Sequence, residues 1–317
     1  MTVQNRIALA LAGVGKIARD QHLPAVANGR DFALVAAISH HGKVANTENF
    51  ESFDQFLEAR PDVRTISLCT PPNVRFEMAK KAIAAGRDVL LEKPPATTLG
   101  EAEALAAMAA DAGVTLFATW HSRFAHGVEP ARQWLTDKAI RRIEIVWKED
   151  VRRWHPGQAW IWDAGGFGVF DPGINALSIL TAIVPGAIIV DHASLSFPSN
   201  RQQPIAARLG MATAEGAPIS AEFDWRQEGP QAWDISVETD AGTLRLSKGG
   251  AELYIADALA TTGPDREYPG IYDRFAALIR SRQSDADFQP LRLVADAFLR
   301  GERQDVAPFR EEDGKAK

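Results

Sequence analysis

The chain has 317 residues, of which 46% are hydrophobic and 24% are charged, and its formal net charge is −6. This length is typical of two domains, and the composition is that of a globular protein. The negative charge offers no general attraction to nucleic acid or to an anionic membrane, and no apolar run is long enough to span a bilayer. The sequence therefore predicts neither a nucleic-acid partner nor a membrane partner.

The chain contains one cysteine, Cys69, so no disulfide can form within it. This residue lies in an apolar stretch, where we expect a small buried side chain. A lone cysteine fits a reducing compartment, and we expect a cytoplasmic protein. The seven His residues show neither H-x-x-x-H nor Cys/His spacing, so we expect no metal site.

The first 122 residues alternate between short apolar runs and helical patterns, which is typical of a doubly wound parallel sheet. The predicted strands are Ile7–Ala12, Ala33–Ser39, Val63–Cys69, Asp88–Leu91 and Val114–Thr119. The predicted helices are Lys16–Ala27, Phe53–Ala59, Val74–Ala85 and Leu99–Ala112, the last behind the capping box Thr98-Leu99-Gly100-Glu101. We therefore expect an α/β Rossmann domain over residues 1–122.

The pattern changes after residue 122, where alternating strands follow one another without helical crossovers. The predicted strands are Arg142–Lys148, Ile188–Phe197, Ala206–Ala212, Ile219–Trp225, Trp233–Thr239 and Gly242–Ser247. The predicted helices are Pro130–Lys138, Pro172–Val184, Tyr272–Arg282 and Pro290–Arg300. We expect residues 123–317 to form an α+β domain with a largely antiparallel open sheet, ending in a loosely held charged segment, Arg310 to Lys317.

A glycine motif of the form G-x-G-x-x-A follows the first predicted strand and opens the first predicted helix. Gly13 allows a tight turn, and Gly15 lets the backbone approach a pyrophosphate. The N–H groups that follow, at Lys16 and Ile17, begin a helix whose positive end favours phosphate. The motif predicts a dinucleotide cofactor.

The end of the second predicted strand indicates which dinucleotide binds. Sites selective for NAD usually carry an acidic residue there, hydrogen-bonded to the ribose 2′-hydroxyl. Here Ser39 and His40 stand at that place, and both can donate a hydrogen bond to a 2′-phosphate. We predict NADP as the cofactor, with NAD also accepted.

Lys93 ends a short apolar run and stands between Glu92 and Pro94. Burying a Lys is costly unless it is paired, because its charge must be desolvated. The carboxyl end of a parallel strand is where open α/β sheets bind ligands. The alternative is a surface Lys at a strand end, but the neighbouring prolines restrict the backbone and favour a directed side chain.

The predicted helix of the second half opens with Asp171, which we expect at its N-cap, and carries Asn175 four residues later. Six of the eight Trp residues lie between Trp120 and Trp162, beside charged residues that include Glu149 and His155. Aromatic faces next to carboxylates suit a sugar, which offers a C–H face and hydroxyl edges. The alternatives are that Asp171 only caps the helix and that the Trp residues form a core.

Together these features resemble the Gfo/Idh/MocA oxidoreductase family over nearly the whole chain. The resemblance rests on the glycine motif, Thr70-Pro71-Pro72, Glu92-Lys93-Pro94 and Asp171. It implies an N-terminal NAD(P) domain, with Thr70, Pro71 and Glu92 at the cofactor and Lys93 at the reacting hydroxyl. It also implies a C-terminal domain whose open sheet forms homo-oligomer contacts.

Many members of this family carry Asp-x-x-x-His with the His as base, whereas this chain has Asn175 in that place. The variant and the strings 148–158 and 170–175 resemble the branch that oxidises L-arabinose or D-galactose at C1 to the lactone. Asp171 and Lys93 compete as the base in this reaction. We favour Asp171 as proton acceptor, with Lys93 polarising the C1 oxygen and Asn175 fixing the hydroxyl.

The side chains assigned to the sugar are His121, Glu149, Trp154, His155, Asp171, Asn175 and Trp233. Two other functions stay open, a dehydrogenase of another polyol (xylose, an inositol or a dihydrodiol) and a non-catalytic sugar or NADP sensor. The presence of Lys93 and Asp171 argues against a sensor. Asn175 in place of His argues against an inositol.

Overall fold

The structure is a computed structural model that describes residues 6–311. The chain divides into two compact units: unit 1 contains residues 6–121 and 266–288, and unit 2 contains residues 122–265 and 289–311. The sequence placed one boundary after residue 122 and assigned 266–288 to the second domain, whereas the structure returns that segment to unit 1. Residues 312–317 of the predicted C-terminal segment lie outside the described residues.

Unit 1 is built on a parallel sheet. Its strands are β1 (Ile7–Ala12), β2 (Phe32–Ile38), β3 (Glu48–Phe50), β4 (Thr65–Leu68), β5 (Asp88–Leu91) and β6 (Leu116–Ala118). The strand order is β3-β2-β1-β4-β5-β6, with every neighbouring pair parallel. This order confirms the predicted doubly wound sheet, whose ligands bind beyond the carboxyl ends where the order reverses. The edge strand β3 was missed, because three residues with one buried side chain show no recognisable period.

Most helices lie close to their predicted positions, but the helix predicted from Tyr272 begins at Glu267, and the short helix after Lys148 was not predicted. The α-helices within residues 6–311 are α1 (Leu23–Asn28), α2 (Phe53–Ala59), α3 (Pro72–Ala84), α4 (Leu99–Ala112), α5 (Val128–Leu135), α6 (Val151–Trp154), α7 (Phe170–Ile183), α8 (Glu267–Ser281) and α9 (Gln289–Arg300). A π-helical turn, Ala18–His22, precedes α1. The capping box of α4 is present: Thr98 Oγ1 accepts the N–H of Glu101, and the Glu101 carboxylate accepts the N–H of Thr98.

Aromatic packing explains why α8 belongs to unit 1. Phe275 stacks on Phe32 and Phe117, with ring centroids 5.7 Å and 6.1 Å away. After the helix, the backbone of Asp285 exchanges hydrogen bonds of 2.9 Å and 3.0 Å with β6. These partners lie more than 150 residues apart in the chain, so no local pattern could reveal them.

Unit 2 is built on a mixed sheet. Its strands are β7 (Ile140–Lys148), β8 (Ile188–Pro198), β9 (Ala206–Thr213), β10 (Pro218–Asp224), β11 (Ala232–Thr239), β12 (Gly242–Ser247), β13 (Glu252–Ile255), β14 (Ala258–Thr262) and β15 (Gly301–Val306). The order is β14-β13-β12-β11-β7-β10-β9-β8-β15. Two pairs, β7 with β10 and β8 with β15, are parallel and the others are antiparallel. The predicted largely antiparallel sheet is confirmed, although β13, β14 and β15 were missed.

The start of α7 differs from its prediction. The helix begins at Phe170 with Val169 at the N-cap, so Asp171 lies inside the first turn and is not the cap. The reason is a turn at Gly168, which has a φ of +51° and whose carbonyl already accepts the N–H of Asp171 at 2.9 Å. A Cβ on Gly168 would lie 2.4 Å from the carbonyl oxygen of Pro204, so only glycine fits.

Candidate active site

The glycine turn after β1 has the form that a dinucleotide requires. Gly13 has a φ of +95°, and a Cβ there would lie 2.7 Å from the backbone nitrogen of Thr70. Gly15 is exposed, and no atom lies within 4 Å of the place its Cβ would occupy. The first residue therefore closes the turn against the loop after β4, and the second leaves open space at a helix N-terminus. These residues fit a pyrophosphate.

The two residues that follow Gly15, Lys16 and Ile17, both have exposed side chains. Lys16 forms an ion pair with Asp20 one turn along the helix. Its ammonium group therefore already has a partner of opposite charge within the chain. Ile17 is exposed and apolar, which suits contact with a nonpolar part of a nucleotide. This ion pair favours binding of a phosphate by the backbone N–H of Lys16 over binding by its side chain.

The loop after β2 combines two predicted residues with one that the sequence did not reveal. Ser39 Oγ accepts the N–H of Gly42 at 3.1 Å, which leaves its hydroxyl hydrogen available to donate, and His40 is exposed. The guanidinium of Arg19 lies 3.0 Å from the place that a Cβ on Gly42 would occupy. Arg19 directly follows the glycine motif, and this adjacency was the available signal.

Thr70 and Pro71 follow β4 as predicted, beside the glycine turn. Pro71 is the N-cap residue of α3, and the carbonyl of Thr70 accepts a hydrogen bond from the buried Arg75. The same guanidinium donates to the carbonyls of Glu92 and Pro94, on either side of Lys93. The Lys93–Pro94 peptide bond is cis. The loops after β4 and β5 are thus joined by one side chain.

Glu92 is a buried carboxylate at the end of β5. Its Oε1 accepts a hydrogen bond of 2.8 Å from the Tyr268 hydroxyl and lies 3.3 Å from Nε2 of His22. Burial alone raises the pKa of Glu92, but the hydrogen bond and charge of His22, with the charges of His121 and Lys93, lower it to about 2. Lys93 is half-buried and stands within this electrostatic group.

His22 connects Glu92 to a second tyrosine. It is fully buried, and its Nδ1 lies 2.8 Å from the hydroxyl of Tyr272. Burial alone lowers the pKa of His22, but interactions with Cys69, Tyr272 and Glu92 raise it well above its ordinary value. Sequence reasoning missed both His22 and the two tyrosines, because α8 brings Tyr268 and Tyr272 to this strand end from a distant part of the chain.

His121, predicted to contact the sugar, lies in unit 1. Its Nδ1 is 2.9 Å from a carboxylate oxygen of Glu267, and its ring stacks on Tyr268 at 5.4 Å. Burial alone lowers the pKa of His121, but the charge and hydrogen bond of Glu267 outweigh this and raise it. His121 therefore belongs to the same group of ionisable side chains as Glu92 and Lys93.

In unit 2, Asp171 and His155 lie together. Oδ2 of Asp171 is 3.3 Å from Nε2 of His155, and the other ring nitrogen of that His is 3.4 Å from Gln158. Asp171 is 3% exposed, whereas Asn175 on the next turn of α7 is half-buried. Asp171 and Asn175 lie four residues apart on α7, as predicted. The structure adds the contact between Asp171 and His155, a residue that the sequence had assigned to the sugar alone.

Glu149 accepts hydrogen bonds from two Trp residues of unit 2. Its two carboxylate oxygens accept indole N–H groups from Trp225 at 3.2 Å and Trp233 at 3.0 Å. The ring of Trp154 meets Trp233 edge-on at 5.6 Å and is partly exposed. Trp225 is fully buried against Trp162, so part of the Trp cluster is core, as the alternative predicted, whereas Trp154 borders solvent.

Within residues 6–311 no three His, Cys, Asp or Glu side chains converge as metal ligands would. In the same range, every helix is too short or too polar to traverse a bilayer.

Comparison with known proteins agrees with this fold. The family model for the Gfo/Idh/MocA oxidoreductases with an NAD-binding Rossmann fold matches residues 7–119. Galactose 1-dehydrogenase of Pseudomonas fluorescens is 45% identical over 315 residues, which cover 96% of this chain and 98% of that protein.

Two solved structures are also similar. D-galactose-1-dehydrogenase from Rhizobium etli is 51% identical, with a TM-score of 0.93 over 98% of this chain and 100% of that one. A 3-ketoreductase from Actinomadura kijaniata, solved with NADP, is 18% identical with a TM-score of 0.84 over 95% of this chain and 100% of that one, which shows a shared fold.

The Rossmann sheet and its glycine turn define an NAD(P)-binding oxidoreductase. The near full-length identity places the chain more closely: it belongs to the Gfo/Idh/MocA family.

Proposed function

We propose that the protein is an NAD(P)-dependent aldose 1-dehydrogenase that oxidises D-galactose, L-arabinose or both at C1 to the lactone. The observation that carries this proposal is the identity of 45% to a galactose 1-dehydrogenase along almost the entire chain. The residues expected to do the chemistry, Lys93 and Asp171, are both present. The two sugars share their ring hydroxyl geometry and differ in the hydroxymethyl group at C5, so one site can accept both.

The bound nucleotide supplies the hydride acceptor. The protein must then accept the proton of the C1 hydroxyl, and we assign this role to Asp171. Because His155 lies 3.3 Å from Asp171, the imidazole orients the carboxylate and can share the proton that it receives. A hemiacetal hydroxyl is more acidic than an ordinary alcohol, so a carboxylate is a sufficient base.

Lys93 polarises the C1 oxygen in this mechanism, and it is the competing candidate for the base. Asn175 offers one amide donor and one acceptor to the hydroxyl, but it cannot take a proton near neutral pH. Trp154 and Trp233 would present aromatic faces to the sugar C–H groups, and His121 and Glu149 would bind or orient its hydroxyl groups.

We further propose a preference for NADP, with NAD also accepted. No acid stands at the end of β2, where an acid would repel a 2′-phosphate. Ser39 and His40 offer donors there, and the guanidinium of Arg19 adds a fixed positive charge beside Gly42.

We also propose that the protein forms a homo-oligomer through the sheet of unit 2 and that it is cytoplasmic. Light scattering of the purified protein would measure the oligomeric state.

The decisive experiment follows nicotinamide reduction with a panel of aldoses, inositols and dihydrodiols, each with NADP and with NAD. We expect rapid reduction with D-galactose and L-arabinose, and slower reduction with D-xylose, the C4 epimer of L-arabinose. We also expect a higher kcat/KM with NADP than with NAD. Reduction confined to an inositol or a dihydrodiol would contradict the aldose assignment. No reduction with any compound, combined with tight sugar binding, would favour a sensor.

A further inference from the structure

Arg75 is a charged side chain that the sequence gave no reason to single out. It lies in the first turn of α3 and is 2% exposed. Its guanidinium donates to three backbone carbonyls, those of Glu92, Pro94 and Thr70. A buried guanidinium is costly unless its N–H groups are satisfied, so these bonds bind the backbone firmly.

Two of these carbonyls flank Lys93, one on each side. The bond to Glu92 fixes the peptide plane directly before Lys93, and the bond to Pro94 fixes the peptide between Pro94 and Pro95, one residue beyond it. Together they restrain the backbone on both sides of Lys93 and so the direction in which its side chain leaves the chain. The third carbonyl belongs to Thr70, in the loop that packs against Gly13 of the glycine turn. The side chain of Arg75 therefore links the end of β5, which carries Lys93, to the loop after β4 and through it to the glycine turn.

The side chain of Glu92 holds the same strand end from the other direction. Tyr268 and His22 both contact its carboxylate, and the Glu92 N–H donates to the carbonyl of Leu68 at 3.1 Å. The residue before Lys93 is thus fixed through its backbone and through its side chain.

We propose that Arg75 and Glu92 form a clamp that positions Lys93 for its work on the C1 oxygen. The role of Lys93 rests on the proposed function, whereas the clamp itself rests on the contacts above. Arg75 and Glu92 act through Lys93 and are positioning residues, since small displacements of a reacting group cost large factors in rate.

Arg87 provides a matched control within the same unit. It is 3% exposed and donates to the carbonyls of Pro61 at 2.7 Å and Val63 at 2.8 Å. It stands immediately before β5, whereas Glu92 and Lys93 stand immediately after it. Arg87 therefore has the same chemistry as Arg75 at the opposite end of the same strand, away from Lys93.

The test compares Arg75→Lys with Arg87→Lys. Both variants lose carbonyl contacts, so both should lower Tm. Only Arg75→Lys should lower kcat, by roughly 10- to 100-fold, with less change in KM for the sugar. In the absence of sugar, brief treatment with acetic anhydride should acetylate Lys93 faster in Arg75→Lys than in Arg87→Lys, because a less constrained amine samples more exposed positions.

Equal kcat and equal Lys93 acetylation in the two variants would overturn the proposal. If Arg75→Lys does not fold, Glu92→Gln, which keeps the side-chain shape, takes its place and must show the same two effects. The acetylation measurement needs no turnover. A wild-type protein that oxidises no aldose would therefore overturn the proposed function while leaving the clamp open to this measurement.

Discussion

Glu92 in unit 1 and Glu149 in unit 2 are both buried carboxylates that directly follow a strand, β5 or β7. The first is contacted by an imidazole and a phenol, which can gain or lose protons. The second accepts two indole N–H groups, which do not titrate. The difference indicates that unit 1 controls charge around Lys93, whereas unit 2 uses its carboxylate to orient aromatic faces.

The largest effect should come from removing Lys93 or Asp171, the side chains to which we assign the chemistry. Lys93→Ala and Asp171→Ala should each lower kcat by roughly 10²- to 10⁴-fold, because each removes a group that handles charge at the C1 oxygen. The affinity for NADP, measured by fluorescence titration, should stay near that of the wild type.

The matched control for Lys93 is Lys81→Ala, which removes an exposed Lys of α3 paired with Asp54 at 2.7 Å. This variant should keep full turnover. If Lys93→Ala and Asp171→Ala also keep most of theirs, the catalytic assignment is wrong.

The second effect is the pH dependence of stability that Glu92 contributes. Its pKa falls from an ordinary 4.5 to about 2 in the folded protein, so the ionised carboxylate stabilises the fold above pH 4.5. This contribution, roughly 3 kcal/mol, is lost as the pH falls from 4.5 towards 2. Urea unfolding of Glu92→Gln at a series of pH values should show a flatter acid limb than the wild type.

His22 gives the opposite sign, because its pKa is raised in the folded protein. Its protonated form contributes fully below its ordinary pKa of 6.5, and the contribution is lost as the pH rises through the raised value. A wild-type protein whose stability does not change between pH 4.5 and 2 would contradict the account of Glu92.

A smaller effect should separate Glu149 from Glu92. In Glu149→Gln the amide can accept an indole N–H through one atom only, so Trp225 and Trp233 lose one of their two hydrogen bonds. We expect KM for the sugar to rise about tenfold, with a smaller change in kcat. Glu222→Gln, which alters a carboxylate paired with Lys148, is the control and should leave KM unchanged.

An effect of similar size concerns the choice of nucleotide in unit 1. Arg19→Ala should raise KM for NADP by roughly tenfold and leave KM for NAD nearly unchanged, because only NADP carries the 2′-phosphate. Arg30→Ala, an exposed Arg of the same unit, serves as control. An equal rise for both nucleotides would remove Arg19 from the account of specificity.

Much of the fold was predictable from short-range patterns. The strands β1, β5 and β12, the helix α2 and the capping box at Thr98 match the predictions. The edge strands β3 and β14 were not predictable, because few of their side chains are buried and no period marks them. The first residue of α7 was also misplaced, since the turn at Gly168 begins the helix before Asp171.

The candidate site divides in the same way. The sequence by itself determined the glycine turn, Lys93 at a strand end, and Asp171 with Asn175 on one helix, because each depends on residues within a few positions of one another. Only the tertiary structure decided that Arg75, His22 and Tyr268 hold the end of β5 and that Glu149 holds two indoles. Those partners come from separate elements, and buried polar groups take whichever partners the packing of the chain brings to them.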